Sequence, residues 1–340
     1  MTCTLILRAD AGHRLGSGHV MRLAALAEAA GQRSLLIVGG EPAATVAQLI
    51  GRGLDAVASH GDSGTESDLA HVLGCAHDRG AAGVVVDGPG FSAGYVTALA
   101  DRGLVVASLD DLGAAPLPTA IVVNHNLGAE TLADRYPTTS TRLLGRRFHL
   151  LRGEFRRLSA AGSPPRPDAR RVLITMGGSD PVGATARVVG ALRGAHLELM
   201  VVLGPGFRHD AAFDRALAIA DAHGHDVALA AQPADLPRLM SGCDVAISAA
   251  GGTLAELGYL GRPTFAVAIA DDQIANARRH AAAELAVGGQ PLADLTDEHL
   301  ADSIAGLLGD LPLRRRLRDR AAAALDGRGA DRVVAQLVAS

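Results

Sequence analysis

Short, continuous apolar runs alternate with amphipathic stretches along the whole chain. Residues 4–7, 34–38, 83–87, 104–109 and 121–123 read as buried strands, and 18–30, 42–52, 67–79 and 92–102 as helices between them. In the first helix Val20, Leu23, Ala27 and Ala30 share one face. Pro42 suits a first helical turn and Ser67 an N-cap. Strands that are apolar throughout, separated by helices, imply a parallel sheet covered on both faces. The pattern then repeats, with strands at 172–176, 197–203, 227–230, 245–248 and 263–269. Helices fall near 181–192, 211–222, 236–240, 253–260 and 273–283, and three more helical stretches complete the chain. Residues 159–168, rich in Pro, Gly and Ser without an apolar period, read as a linker. The expected organisation is α/β: a first domain over 1–158, a linker over 159–168, and a second domain over 169–340 whose last helix is free to pack back on the first. Two Rossmann-like parallel sheets in tandem would face a cleft, with ligands at the carboxyl ends of the strands.

The length of 340 residues suits two such domains, each of about 150 residues. Apolar residues make up 48% but aromatics only 3%, with no Trp, so the cores must be built from Ala, Val, Leu and Ile. Stacking platforms for single-stranded nucleic acid are nearly absent. A net charge of -4 gives no basic field for a phosphate backbone, so nucleic acid is not an expected partner. The chain contains no Lys. That excludes Schiff-base chemistry with pyridoxal phosphate and a Walker-type phosphate loop. Three scattered cysteines, Cys3, Cys75 and Cys243, form no C-x-x-C pair and read as reduced thiols. The opening run, residues 1–10, lacks a basic leader and reads as a strand, not a signal peptide; no apolar stretch of about 20 residues spans a membrane. The expected location is the cytoplasm.

Three turns between a strand and a helix carry the candidate chemistry. Gly16-Ser17-Gly18-His19 contains G-x-G, but Met21 stands where a dinucleotide fingerprint needs its third Gly, and no acidic residue closes the next strand. His19 lies on the first helical turn, where the N-terminus disfavours an imidazolium and favours a neutral proton acceptor; a capping or packing histidine is the alternative. Met176-Gly177-Gly178-Ser179-Asp180 offers backbone N–H groups to an anion; a plain βα turn is the alternative. In Gly251-Gly252-Thr253, followed by Glu256, the amides suit a diphosphate and the carboxylate a ribose diol, although Thr253 and Glu256 also fit a capping box. Asp87, Asp110, Asp111, Asn124 and Asn126 stand at strand ends of the first half, where a sugar's hydroxyls would need them. Adjacent aspartates alone make a weak metal site. His223 and His225 flank a Gly in a polar loop and are expected to be solvated.

Together these motifs resemble a known group. Arg8-Ala9-Asp10 with Gly16-x-Gly18-His19-x-x-Arg22, the run from Leu143 to Arg156, Ile174 to Asp180, and Ile247 to Glu256 are similar to the UDP-sugar hydrolases of pseudaminic acid biosynthesis and their spore-coat polysaccharide relatives. Those in turn resemble the glycosyltransferase that adds N-acetylglucosamine to lipid I. The resemblance implies a metal-independent, cofactor-free GT-B type enzyme that binds a UDP-sugar and cleaves its anomeric C–O bond. It places the diphosphate and ribose on Gly177, Gly178, Ser179, Gly251, Gly252, Thr253 and Glu256. It makes His19 the catalytic group, with Asp87 and Asp110 beside it, and assigns Gly16, Gly18, Arg22, Asn124, Asn126, Gln273 and Asn276 to the substrate. Hydrolysis by water activated at His19 is the first expectation. The family's Tyr two positions after the fourth-strand Asp is absent, since Asp87 is followed by Gly88-Pro89-Gly90. That leaves room for the alternative, inverting transfer to a small acceptor such as a nucleobase or metabolite.

Overall fold

The computed structural model of the chain describes residues 4–12, 16–158, 162–233 and 235–339. They divide into two units, Met1–Gly153 with Gly327–Ser340, and Glu154–Asp326. The expected linker segment therefore lies inside unit 2, apart from residues 159–161, which fall outside the described residues.

Unit 1 holds β1 (Thr4–Ala11), β2 (Ser34–Gly40), β3 (Ala56–Ala58), β4 (Ala81–Asp87), β5 (Val105–Leu109), β6 (Ile121–Asn124) and β7 (Thr141–Leu144). They form one parallel sheet in the order β3-β2-β1-β4-β5-β6-β7. Val84, Val85 and Val86 in β4 are 0–1% exposed because helices cover both faces. The helix Gly18–Ala30 buries Val20, Leu23 and Leu26 in the core below the sheet. Each such side chain stabilises the fold by about 1.5–3 kcal/mol on removal from water. The helix Gly329–Ala339 packs on that first helix and adds Val333, Val334 and Leu337 to the same core. Gly329 is obligatory there: a Cβ would lie 2.2 Å from the His149 carbonyl oxygen, a clash between two backbones that neither can relieve.

Unit 2 holds β8 (Arg171–Thr175), β9 (Glu198–Leu203), β10 (Asp226–Ala231), β11 (Val245–Ala249), β12 (Thr264–Ala268) and β13 (Val287–Pro291), parallel throughout in the order β10-β9-β8-β11-β12-β13. In both sheets the order reverses beside the first strand, between β1 and β4 and between β8 and β11. Open α/β sheets bind ligands at such a switch point.

The helix expected from residue 181 begins at Ala184. Asp180 and Gly183 both take left-handed backbone (φ 45° and 67°), and the Asp180 carboxylate accepts the amides of Ala184 and Thr185, each at 2.8 Å. His225, expected to be solvated, is only 4% exposed; its Nδ1 accepts the Leu197 amide at 3.3 Å, and burial holds it below the usual histidine range. His223 is exposed as expected, with Nδ1 2.7 Å from the Ile219 carbonyl oxygen.

Asp244, just before β11, is a buried anchor. It accepts the Arg166 guanidinium at 3.0 and 2.8 Å and the amides of Arg170 and Arg171 at 3.0 and 2.9 Å. Burial opposes its ionisation, but the Arg166 bond and the two amides prevail and hold the carboxyl down to about 2. A native value below the unfolded one, about 3.9, contributes roughly 2 kcal/mol that is fully present above the unfolded value and disappears as pH falls through the native one. Asp244→Asn is expected to flatten the acid limb of unit 2 stability. Denaturant melts at pH 7, 4 and 2.5 check this; equal acid losses in variant and wild type would refute it.

Candidate functional site

Three adjacent strand ends of unit 1 converge on one polar cluster. Asp87, the last residue of β4, is 1% exposed, and its buried charge is met by two partners from the helix after β1. His19 Nδ1 lies 2.8 Å from Asp87 Oδ1. Arg22, one helical turn on, donates through Nε to Asp87 Oδ2 at 3.0 Å and through Nη2 to Oδ1 at 2.7 Å. Its Nη1 donates to Asp111 at 2.6 Å, and Asn126 Nδ2 donates to the same oxygen at 2.8 Å. Positions i and i+3 of a helix share a face, which is why His19 and Arg22 reach one carboxylate. Burial opposes ionisation of Asp111, yet Arg22 outweighs it and holds that carboxyl well below the usual range. Burial alone would lower the Arg22 guanidinium, but the two carboxylates raise it.

A carboxylate can only accept, so Asp87 favours the His19 tautomer with its proton on Nδ1. Arg22 Nη2 also lies 2.8 Å from that nitrogen and can only donate, so it competes there with the proton that Asp87 accepts; in the Asp87-bonded tautomer Arg22 keeps its bonds to Asp87 and Asp111. His19 Nε2 then carries a lone pair, and it has no partner among the described residues. A histidine held by a buried carboxylate in this way is able to act as a base.

The neighbouring residues divide differently from the sequence expectation. Asp110 is drawn out of the cluster: its Oδ1 accepts the amides of Leu112 and Gly113, both at 2.7 Å, so it shapes a turn, and Asp111 takes the place expected for it. Asn124 is buried and structural, donating to Tyr136 Oη at 2.9 Å and accepting the Asn126 amide at 3.2 Å, so it presents no group to a sugar. Gly16 pairs with Gly12 through two backbone bonds of 2.8 and 3.2 Å, and Gly18 is the first residue of the helix. One further residue carries no motif. His125 is buried between the asparagines and stacks on His149 with 4.5 Å between centroids. Its Nδ1 accepts the Leu150 amide at 3.1 Å, which leaves the proton on Nε2. Burial, with His149 and Arg22 nearby, holds it well below the ordinary histidine range.

In unit 2 both glycine turns leave adjacent strands at the switch point. Gly177 (φ 81°) and Gly178 are exposed, and no acceptor among the described residues takes the amides of Gly177, Gly178 or Ser179. The turn is braced from behind: the Gly206 amide donates to the Gly178 carbonyl at 2.8 Å, and a Cβ on Gly204 would lie 2.4 Å from the carbonyl oxygens of Gly177 and Gly178. After β11, the helix Thr253–Tyr259 starts from Gly252, which already has helical angles. Thr253 thus lies inside the first turn, and the capping-box alternative for Glu256 is not realised. The amides of Gly251 and Gly252 are likewise without acceptors among the described residues. Asn276 donates to the Ala250 carbonyl at 2.8 Å, fixing the loop, and Gln273 Oε1 accepts the Ile269 amide at 3.2 Å. Asn276 thus braces the glycine turn after β11, and Gln273 the turn that follows β12.

No protein-family model matches the chain. Over 276 residues it is 31% identical to the UDP-N-acetylglucosamine–N-acetylmuramyl-(pentapeptide) pyrophosphoryl-undecaprenol N-acetylglucosamine transferase of Sorangium cellulosum (strain So ce56), covering 73% of this chain and 63% of that protein. The chain thus matches less than two thirds of that relative's length. Its backbone is similar to that of Acinetobacter baumannii MurG (TM-score 0.66, 16% identity, 99% of this chain and 100% of that one). It is also similar to the spinosyn rhamnosyltransferase SpnG (TM-score 0.66, 19% identity, 98% and 100%). A third likeness is to the UDP-GlcNAc 2-epimerase of Neisseria meningitidis bound to UDP-GlcNAc (TM-score 0.65, 11% identity, 99% and 100%). With its sheets of seven and six parallel strands, the chain has the GT-B fold that these solved glycosyltransferases share.

Proposed function

We propose that this protein is a glycosyltransferase that moves a sugar from a UDP-sugar to a small acceptor, with inversion at the anomeric carbon. The observation that carries this reading is the 31% identity to an N-acetylglucosamine transferase over 276 residues. The sites in each unit fit it. His19 Nε2, its ring held by Asp87, takes the proton of the attacking acceptor as the new bond to the anomeric carbon forms. The bond from that carbon to the diphosphate breaks, and UDP leaves with the electron pair. The amides of Gly177, Gly178, Ser179, Gly251 and Gly252 are the groups that stabilise the departing charge. Arg22, Asp111 and Asn126 form the polar surface that binds sugar or acceptor hydroxyls.

Hydrolysis is the second reading, favoured by the motifs from Gly16 to Arg22 and from Leu143 to Arg156 and their resemblance to the pseudaminic acid pathway hydrolases. The same base would then activate water. UDP release from a panel of UDP-sugars, with and without candidate acceptors, separates the two. Release that requires an acceptor supports transfer; equally fast release in buffer alone supports hydrolysis; no release under either condition overturns both.

Glu256, half-buried on the first turn of its helix, is proposed to hold the ribose diol. Glu256→Ala is expected to weaken UDP binding by about 1.5–3 kcal/mol, the range of a hydrogen bond to a charged group. Calorimetric titration with UDP reads this directly, and an unchanged dissociation constant would exclude the ribose role.

A further inference from the structure

At the opposite end of the unit 2 sheet from the glycine turns lies a cavity of about 340 Å³. It sits where β8, β11 and β12 begin, lined by Arg166, Arg171, Arg262, Asp244, Ser163 and Ser241 among others. Three guanidinium groups share this space with one carboxylate. Asp244 is already occupied by Arg166 and, at 3.4 Å, by Arg171. Arg262 is 6% exposed and spends its donors on uncharged carbonyl oxygens: Leu260 at 3.0 Å, Cys243 at 3.0 Å, Ser241 at 3.3 Å and Ser163 at 2.8 Å. It has no ion pair among the described residues. Burial lowers the Arg262 guanidinium, and the positive charges of Arg318 and Arg171 lower it further. Arg171 Nε is buried and has no acceptor among the described residues. A buried charged donor without a partner is costly, and an anion that accepts from it removes that cost.

We propose that this cavity is a second ligand site, which binds a small phosphate-bearing anion through Arg171, Arg262 and Arg166. The half-exposed guanidinium groups of Arg166 and Arg171 supply donors, and the lining, three arginines against the one carboxylate of Asp244, supplies the field. The site needs no part of the sugar-transfer chemistry, so it stands whether or not that reading holds. Because Ser163 contributes both to the lining and to the Arg262 bond, an anion there also ties down the segment that precedes β8.

Inorganic pyrophosphate is the probe. Calorimetric titration of the full chain, in excess UDP so that any nucleotide site is filled, should show binding by the wild type. Ser241→Glu places a carboxylate in the cavity without removing an arginine, and should weaken pyrophosphate at least about tenfold, the scale of an added like charge. Ser241→Gln should bind as the wild type does. Arg171→Gln is a second variant with the same expected loss, and circular dichroism confirms that each variant is folded. No binding by the wild type in excess UDP overturns the proposal. So does equal affinity in the wild type, Ser241→Glu and Arg171→Gln.

Discussion

Replacing His19 with alanine is expected to slow UDP release from a UDP-sugar by about 10²- to 10⁴-fold, the usual contribution of a positioned general base. The fold should survive, because His19 is partly exposed and lies outside the apolar core. UDP affinity should also survive, because the proposed diphosphate amides belong to unit 2. The loss therefore falls on kcat and not on UDP binding. Asp87→Asn sharpens the test. An amide can present its NH₂ to His19 Nδ1, which favours the tautomer with the proton on Nε2 and removes the acceptor lone pair. It also removes the negative charge that Arg22 and His19 share at 2.7–3.0 Å. Activity should fall in Asp87→Asn as well, although the imidazole is intact. Steady-state kinetics on both variants decide the matter: full activity in His19→Ala would remove His19 from the chemistry.

The largest effect on stability is expected at Asp68. Arg8 in β1 and Asp68 in the helix Glu66–Asp78 are both fully buried, joined by Arg8 Nε to Oδ1 at 2.7 Å. The carboxylate also accepts Ser59 Oγ at 2.7 Å, Tyr95 Oη at 2.9 Å and the Gly64 amide at 3.2 Å. Burial, with the Asp68 charge, holds the Tyr95 phenol well above its ordinary range, so it stays a donor. Arg8 keeps Asp10 at 2.5 Å, but one carboxylate at the edge does not replace one in the core. Removing one partner of a buried pair strands the other, at a cost of about 3–5 kcal/mol. Asp68→Ala is thus expected to lower the melting temperature by roughly 10 °C for a unit of this size. Arg8→Met combined with Asp68→Leu should recover part of that loss, since no charge is then left buried. A loss below about 1 kcal/mol in Asp68→Ala, within the range of ordinary surface changes, would show that the network is not a stability element.

The central strands are legible because burial on both faces demands unbroken apolar runs, as in Val84–Val86. Three strands escape a reading of the sequence: β3, β7 and β13, and all three lie at sheet edges. An edge strand has one neighbour and less burial, so β3 needs only three residues and β13 can carry Gly288, Gly289 and Pro291. The site is legible at the level of strand ends: His19, Arg22 and Asp87 follow from their places after β1 and in β4. Which of Asp110 and Asp111 faces the cluster is not, because adjacent residues at a strand end differ only in the direction the chain turns. His125 and the Arg8–Asp68 pair are invisible for another reason. They depend on contacts such as the 60-residue separation between Arg8 and Asp68, which no local pattern encodes.

The return of residues 329–339 to the first helix makes unit 1 discontinuous in the chain. Synthesis proceeds from the N-terminus, so the ribosome completes all of Glu154–Asp326 before the segment that packs on the first helix emerges. Until then that face of the nascent first unit is open to water. The second unit, continuous in sequence, is the one able to finish folding while its older neighbour waits for its final piece.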